Sequence, residues 1–353
     1  MSKIESLREL GSDEHNEELF IQALNEALDE WRENDLYKQR LEESDAPEQL
    51  EDFEDVRKLP TVDMREFKDH PEELVANQDV EDQYALYSSG TTSDSKSYTL
   101  RSEKGYRRHK GNFQQFADYL MPEIDFMHVM SPSPKLTENM PDEQAQRSVF
   151  TYPIWIFEDL NKDFYLEKTE EGMEPNVDRM VKQIKQKEGN RGVFSTPDNL
   201  YKIAKKLDKK GIELDLGSEG IVLTAGGWKG ESSSNKEEFR NLLEKVFGVE
   251  RTNHLDFYGC TELFFATGNR YGDEDPDKKR IAPEGYIWVA DEEKFLKEGK
   301  LERVEEGEEG LLIAVDPSNT DYPGVLLTDD IVRKTNGDYG EQVRIEYVGR
   351  SSL

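Results

Sequence analysis

The chain has 353 residues, 77 of them acidic and 46 basic, for a formal net charge of -31. Phosphate backbones and anionic headgroups are bound by clustered Lys and Arg, so this balance excludes nucleic acid and charged lipid as partners. Asp and Glu run along the whole length, which favours a protein kept hydrated in a high-salt cytoplasm over an ordinary acidic enzyme.

The single cysteine, Cys260, excludes an internal disulfide framework and a cysteine-rich zinc site. The five histidines form no HExxH or similar ligand spacing. No apolar run approaches the ~18 residues that span a bilayer. The start, Met-Ser-Lys-Ile-Glu-Ser, lacks the apolar stretch of a signal peptide, so a cytoplasmic location is expected.

In chain order, residues 14–42 read as one long helix, with Leu19, Ala23, Leu24, Ala27, Leu28 and Trp31 forming an apolar stripe. An acidic connector follows, and Leu59-Pro60-Thr61-Val62 leads into a shorter helix or turn. Tyr84–Tyr87 and Tyr98–Leu100 read as strands on either side of a Ser/Thr/Gly/Asp run, and 104–120 as a helix. The middle alternates strands (Phe126–Met130, Gly192–Ser195, Gly220–Thr224, His254–Phe257) with helices (177–188, 197–209, 234–247). That alternation predicts an α/β fold with a largely parallel sheet. Beyond about 283, Tyr286–Ala290, Gly310–Val315 and Val325–Leu327 predict a β-rich tail. Three segments are expected: an N-terminal helical part (1–75) packed on an α/β core (76–282), then a β-rich subdomain (283–353). There is no internal repeat or low-complexity tract.

The first segment with chemical content is Ser88-Ser89-Gly90-Thr91-Thr92-Ser93-Asp94-Ser95-Lys96-Ser97. Glycine and hydroxyl residues let backbone N–H groups surround phosphate oxygens, and Lys96 supplies a point charge. It comes within one residue of a Walker A loop, but Ser95 stands at the second glycine, and a strand follows where a Walker loop opens a helix. The ordinary alternative is a solvated hairpin. The second segment, Asp256-Phe257-Tyr258-Gly259-Cys260-Thr261-Glu262, offers a hard carboxylate suited to a metal that bridges phosphates; its ordinary alternative is a helix N-cap with an acidic first turn. Leu327-Thr328-Asp329-Asp330, Gly349-Arg350 and Thr224-Ala225-Gly226-Gly227-Trp228-Lys229 complete the set.

In this order and spacing the segments resemble the acyl-adenylate-forming superfamily, which includes acyl-CoA synthetases, phenylacetate-CoA ligases and luciferases. The resemblance implies that Ser88, Ser89, Gly90, Thr91, Thr92 and Lys96 orient the ATP phosphates. It implies that Tyr258, followed by Gly259, lies near adenine, that Thr261 meets the α-phosphate and that Glu262 holds Mg²⁺. Asp330 and Arg350 match the residues that reach the ribose, and Gly226, Gly227 and Trp228 the backbone that packs on adenine. Lys96, Thr261 and Glu262 are the catalytic candidates.

The Gly-Gly-Trp-Lys form, and Leu59-Pro60 followed by Glu66-Phe67-Lys68, are similar to the LuxE-type acyl-protein synthetases. That likeness implies a fatty acid as substrate, and a thiol acceptor, such as one on a reductase partner. Phenylacetate-CoA-ligase-like formation of an acyl-CoA or amide is the nearest alternative; a nucleotide-binding protein without catalysis is a second. The chain departs from the family at Ser93 and Ser95, where Gly and Pro are usual, and at Asp329, which replaces a glycine. The residues after Gly349-Arg350 include no cysteine to match the thiol that LuxE-type enzymes carry near the C-terminus, and the likeness implies a chain without the C-terminal lid domain of classical acyl-CoA synthetases.

Cys260 is the only internal thiol, read as a small packing residue more readily than a nucleophile. Ser351 and Ser352 lack a base. His128 and His254 are read as core histidines before substrate contacts; Trp155 and Phe157 fit an acyl-pocket lining and ordinary core packing equally well, and Glu305–Glu309 is read as a solvated turn.

Overall fold

The apolar stripe read near the N-terminus becomes the first core in the computed structural model, which describes residues 2–10, 14–88, 97–170, 172–228 and 235–351. Phe20, Ala23, Leu24, Ala27, Leu28 and Trp31 are fully buried along the helix Glu17–Trp31. The expected single helix is two: the second runs Asp35–Glu43. The break has a specific cause. The Asn34 side chain accepts from Tyr37 N–H at 2.8 Å, capping the second helix, while its amide donates to the carbonyls of Glu73 at 2.8 Å and Val75 at 3.0 Å. One buried side chain thus ends a helix, starts another and ties both to a loop forty residues on. Asn34→Ala should lower stability by about 2 kcal/mol in a denaturant titration, because a helix cap and two partly buried carbonyls lose their partner; a change within ±0.5 kcal/mol would refute this account.

The chain divides into two compact units. The first comprises Met1–Phe116, Gly259–Thr267 and Asp277–Leu353. Its sheet has the strand order Tyr286–Ala290, Glu309–Val315, Val325–Thr335, Arg344–Arg350, Lys278–Ile281, all antiparallel neighbours. Val62–Asp63 adds a short parallel strand, with Val62 opposite Leu326. The β-rich tail read from sequence is this sheet, although Arg344–Arg350 and Lys278–Ile281 were not legible there. A separate antiparallel pair joins Val80–Tyr87 to Tyr98–Ser102, with Tyr87 opposite Tyr98. The strand–loop–strand reading holds at both flanks of the Ser/Thr/Gly run.

The second unit comprises Ala117–Tyr258 and Gly268–Pro276. His254–Tyr258, Ile221–Ala225, Arg191–Ser195, Phe126–Pro132 and Lys162–Thr169 are parallel neighbours in that order, and Gly172–Pro175 pairs antiparallel at the edge. The helices Val177–Gln186, Pro197–Lys209 and Lys236–Phe247 bury Met180, Ile184, Leu200, Leu207, Phe239, Leu243 and Phe247 against Met130, Val193 and Val222 of the strands. Continuous apolar strands with helices between them are what a parallel sheet requires. Among the described residues, no helix is long and apolar enough to cross a membrane.

Candidate active site

The parallel sheet of the second unit ends in a polar row at its carboxyl edge, where open α/β sheets place their ligands. Thr224 and Asp256 are register partners on neighbouring strands. The Asp256 carboxylate accepts from Thr224 Oγ1 at 2.6 Å and from Trp228 Nε1 at 3.0 Å, and its backbone N–H donates to Asn269 Oδ1 at 2.7 Å. Trp228 also packs edge-on against Phe239, at 5.3 Å between centroids. The loop between, Gly226-Gly227, is exposed, and Gly226 has a φ of +95°, a conformation that favours glycine. Asp256 therefore anchors both ends of a loop whose bare backbone is free to meet a flat ring. Tyr258, half-buried, closes its strand. Lys229 lies outside the described residues.

In the first unit, Thr261 and Glu262 are buried at 2 % and 3 % exposure, despite lying in a segment with neither helix nor strand. Thr261 Oγ1 donates to Glu262 Oε2 at 3.0 Å. Glu262 Oε1 is buried with no hydrogen-bond partner among the described residues. A buried carboxylate oxygen without a donor is costly, and a bound cation would satisfy it. Among the described residues no three His, Cys, Asp or Glu converge into a cation site. A single carboxylate is nonetheless the donor set Mg²⁺ uses when nucleotide phosphates and water supply its other ligands, so Glu262 fits that ion.

Asp330 and Arg350 are register partners on adjacent strands of the first unit. Arg350 Nε lies 3.4 Å from Asp330 Oδ1, and its Nη1 3.5 Å from Asp329 Oδ2. Asp330 is 4 % exposed, whereas the Arg350 side chain is half-exposed. The structure thus brings together two residues that the sequence separates by twenty positions. Ser88, half-buried, pairs its N–H with the Ser97 carbonyl at 2.9 Å, so the hairpin closes where the hydroxyl run begins. Ser89, Gly90, Thr91, Thr92, Ser93, Ser95 and Lys96 lie outside the described residues.

Gly259 is exposed, and Cys260 beside it is half-buried. Burial first, then the nearby Glu262 carboxylate, push the Cys260 thiol well above its usual range. A thiol held protonated is a poor nucleophile, which agrees with its reading as a packing residue. His128 and His254 are buried, and His128 Nδ1 lies 2.8 Å from the Tyr165 hydroxyl. Trp155 and Phe157 are buried too, Phe157 packing edge-on against Phe194 at 5.2 Å. Sequence reasoning missed Asp256 as an anchor and Arg101 as a partner of the Thr261 carbonyl. The available signal was a single Asp or Arg inside each of two short buried strands, His-Leu-Asp-Phe-Tyr and Tyr-Thr-Leu-Arg-Ser.

The family model described as "Acyl-protein synthetase, LuxE" matches residues 8–352. The long-chain-fatty-acid–luciferin-component ligase of Vibrio harveyi is 28 % identical over 315 residues, covering 87 % of this chain and 77 % of that protein. The ligase of the same name from Aliivibrio fischeri is 25 % identical over 306 residues, covering 85 % and 75 %. Among solved structures, an open conformation of 2-hydroxyisobutyryl-CoA ligase, in complex with 2-HIB-AMP and CoA, superposes with a TM-score of 0.66. It is 15 % identical and covers 95 % of this chain and 74 % of that one, a likeness of fold. The chain therefore belongs to the LuxE acyl-protein synthetase family of ligases and carries the α/β fold of the adenylate-forming enzymes.

Proposed function

We propose that the protein activates a fatty acid with ATP and passes the acyl group to a thiol on another protein. The carboxylate of the acid attacks the α-phosphorus of ATP, the bond to the bridging oxygen breaks, and acyl-AMP and pyrophosphate result. The acceptor thiol then attacks the acyl carbon and AMP leaves. The observation that carries the reading is the buried Oε1 of Glu262, without a hydrogen-bond partner among the described residues, within the Tyr-Gly-Cys-Thr-Glu segment of a LuxE-family chain.

Glu262 would hold Mg²⁺, which when bound neutralises the charge gathering on the departing pyrophosphate. The Thr261 hydroxyl fixes the carboxylate by donating to Oε2, leaving Oε1 for the cation. Asp330 accepts from the ribose hydroxyls, and Arg350 holds the Asp330 carboxylate in place. Lys96 and the hydroxyls of Ser88, Ser89, Thr91 and Thr92 carry the β- and γ-phosphates. Rate enhancement would come from positioning and charge stabilisation. The names of the curated relatives support a long-chain fatty acid as the substrate. Membership of an acyl-protein synthetase family supports an acceptor on a separate protein, such as an acyl reductase.

The test is pyrophosphate release by the purified protein with ATP, Mg²⁺ and a panel of carboxylic acids in high-salt buffer, with and without coenzyme A. Release that depends on a fatty acid and is indifferent to coenzyme A is the expected result. Release that requires coenzyme A would move the protein to the phenylacetate-CoA-ligase type, and no release with any acid would leave a nucleotide binder without catalysis.

A further inference from the structure

Residues Thr261–Ala266 are buried yet form no helix or strand. Buried backbone of this kind must find its hydrogen-bond partners outside itself. Here they are side chains. The Thr261 carbonyl accepts from Arg101 Nη2, and from Thr99 Oγ1 at 3.2 Å. The Glu262 carbonyl accepts from Asn319 Nδ2 at 2.8 Å, and Phe264 N–H donates to the Asp316 carboxylate.

Arg101 is the unusual member of this set. It is fully buried, and its guanidinium forms no close ion pair among the described residues, although its charge is felt by the buried Asp316 carboxylate. Its Nη1 donates to Asn319 Oδ1 at 3.3 Å, and its Cζ lies 4.5 Å from the centroid of the Phe264 ring and 5.4 Å from that of Tyr322. Stripping a cation of water without an anion in direct contact is expensive, and aromatic faces, carbonyls and a carboxylate at longer range offset only part of that. An apolar side chain would fill the same space at lower cost. What it would lose is the charged donor on Thr261, together with the link through Asn319 to the Glu262 carbonyl. The two arms of the guanidinium therefore reach the two peptide units that flank Glu262, the one before it directly and the one after it through Asn319.

We propose that Arg101 is a positioning residue that holds the Thr261–Glu262 peptide in the geometry used to bind metal and nucleotide. The proposal rests on the functional reading above, in which Glu262 meets Mg²⁺. It assigns Arg101 no contact with substrate; it acts through the peptide.

The test compares wild type with Arg101→Met, Arg101→Lys and Thr99→Val. Calorimetry measures ATP binding with Mg²⁺ and with the metal chelated, and a thermal melt without ligand reports folding. Arg101→Met should weaken Mg·ATP binding by about tenfold or more, the size expected for a lost charge-assisted hydrogen bond, and change metal-free ATP binding less. Arg101→Lys, which keeps the charge and one arm, should recover part of the loss. Thr99→Val, which removes the weaker of the two donors, should cost a few-fold. A purely structural role would lower the melting temperature and leave the metal dependence of a folded variant untouched, and that result overturns the proposal. If Arg101→Met does not fold, unchanged metal dependence in both Arg101→Lys and Thr99→Val overturns it instead. Wild type that binds no Mg·ATP overturns the functional reading and this inference together; wild-type binding with unaffected variants overturns the inference alone.

Discussion

Glu262→Gln should reduce acid-dependent pyrophosphate release by about a hundredfold or more while leaving the fold in place. The substitution keeps the size and shape of the side chain, and a Gln carbonyl oxygen still accepts from Thr261 Oγ1, as Oε2 does now. What disappears is the negative charge and the second acceptor, the oxygen of the pair with no partner among the described residues. A hard cation loses its protein ligand and must be held by phosphates and water alone. The Mg²⁺ concentration for half-maximal release should rise with the drop in rate, and that shift separates a metal role from mere loss of stability. A folded Glu262→Gln protein with wild-type activity and wild-type Mg²⁺ dependence would remove Glu262 as the ligand.

His128 and His254 should make the protein sensitive to mild acid. Burial, first, and then the cations Arg191 and Lys187 depress His128 to about 3, against an ordinary value of 6.5. Burial, then Arg240 and Arg251, bring His254 to about 3. The sign is fixed by those values: both rings are neutral when folded and protonated when unfolded below 6.5. Their contribution is fully present above 6.5 and is lost as pH falls toward 3. At 1.36 kcal/mol per proton and pH unit, each costs about 2 kcal/mol at pH 5, about 4 kcal/mol for the pair. His109, also depressed by burial, acts in the same direction. Glu284 opposes them. Burial, and to a lesser degree Asp316, raise its carboxyl to about 7, so its contribution is present below 4.5 and lost as pH rises through 7. Denaturant titrations at pH 5, 6 and 7 on wild type and a His128→Asn/His254→Asn double variant isolate the histidine part as a difference in slope. The variant should lose the uptake of nearly two protons on unfolding near pH 5; equal slopes would contradict neutral burial of these rings.

The motifs were legible because they are local. Tyr258 to Glu262 stand within five residues, and the strands flanking the hydroxyl run announce themselves by Tyr84–Tyr87 and Tyr98–Leu100. The helices of the second unit were legible from their stripes, Pro197–Lys209 to the residue. The strand Lys162–Thr169 was not, because Lys-Asp-Phe-Tyr-Leu-Glu-Lys-Thr mixes its charges into both faces and gives no clean alternation. The break at Asn34 was hidden for another reason. The carbonyls it satisfies, on Glu73 and Val75, are near only after the chain has folded back. The supports of the site share that property. Arg101 reaches a carbonyl 160 residues away and Asn319 one 57 residues away, so neither forms a pattern in sequence. Hydrogen bonding to a distant backbone leaves no mark on composition or period; it is legible only as a polar residue where an apolar one would pack more cheaply.

The way the two units are threaded has a consequence for synthesis of the protein. Nearly all of the second unit is one continuous stretch, Ala117–Tyr258, whereas the first is assembled from three separate stretches. Val62–Asp63 waits for its partner Leu326–Leu327, and Val325–Thr335 in turn pairs with Arg344–Arg350. A chain growing from the ribosome can close the parallel sheet after His254–Tyr258 has emerged, while the first 116 residues stay without their sheet until Val325–Thr335 and Arg344–Arg350 are made. During that interval the stripe from Phe20 to Trp31 lacks much of its eventual cover, including the Asn319 carbonyl that accepts from Trp31 Nε1. Nascent chains of the N-terminal segment are thus the form most in need of chaperones, and their heavy complement of acidic side chains is what keeps them apart in the meantime.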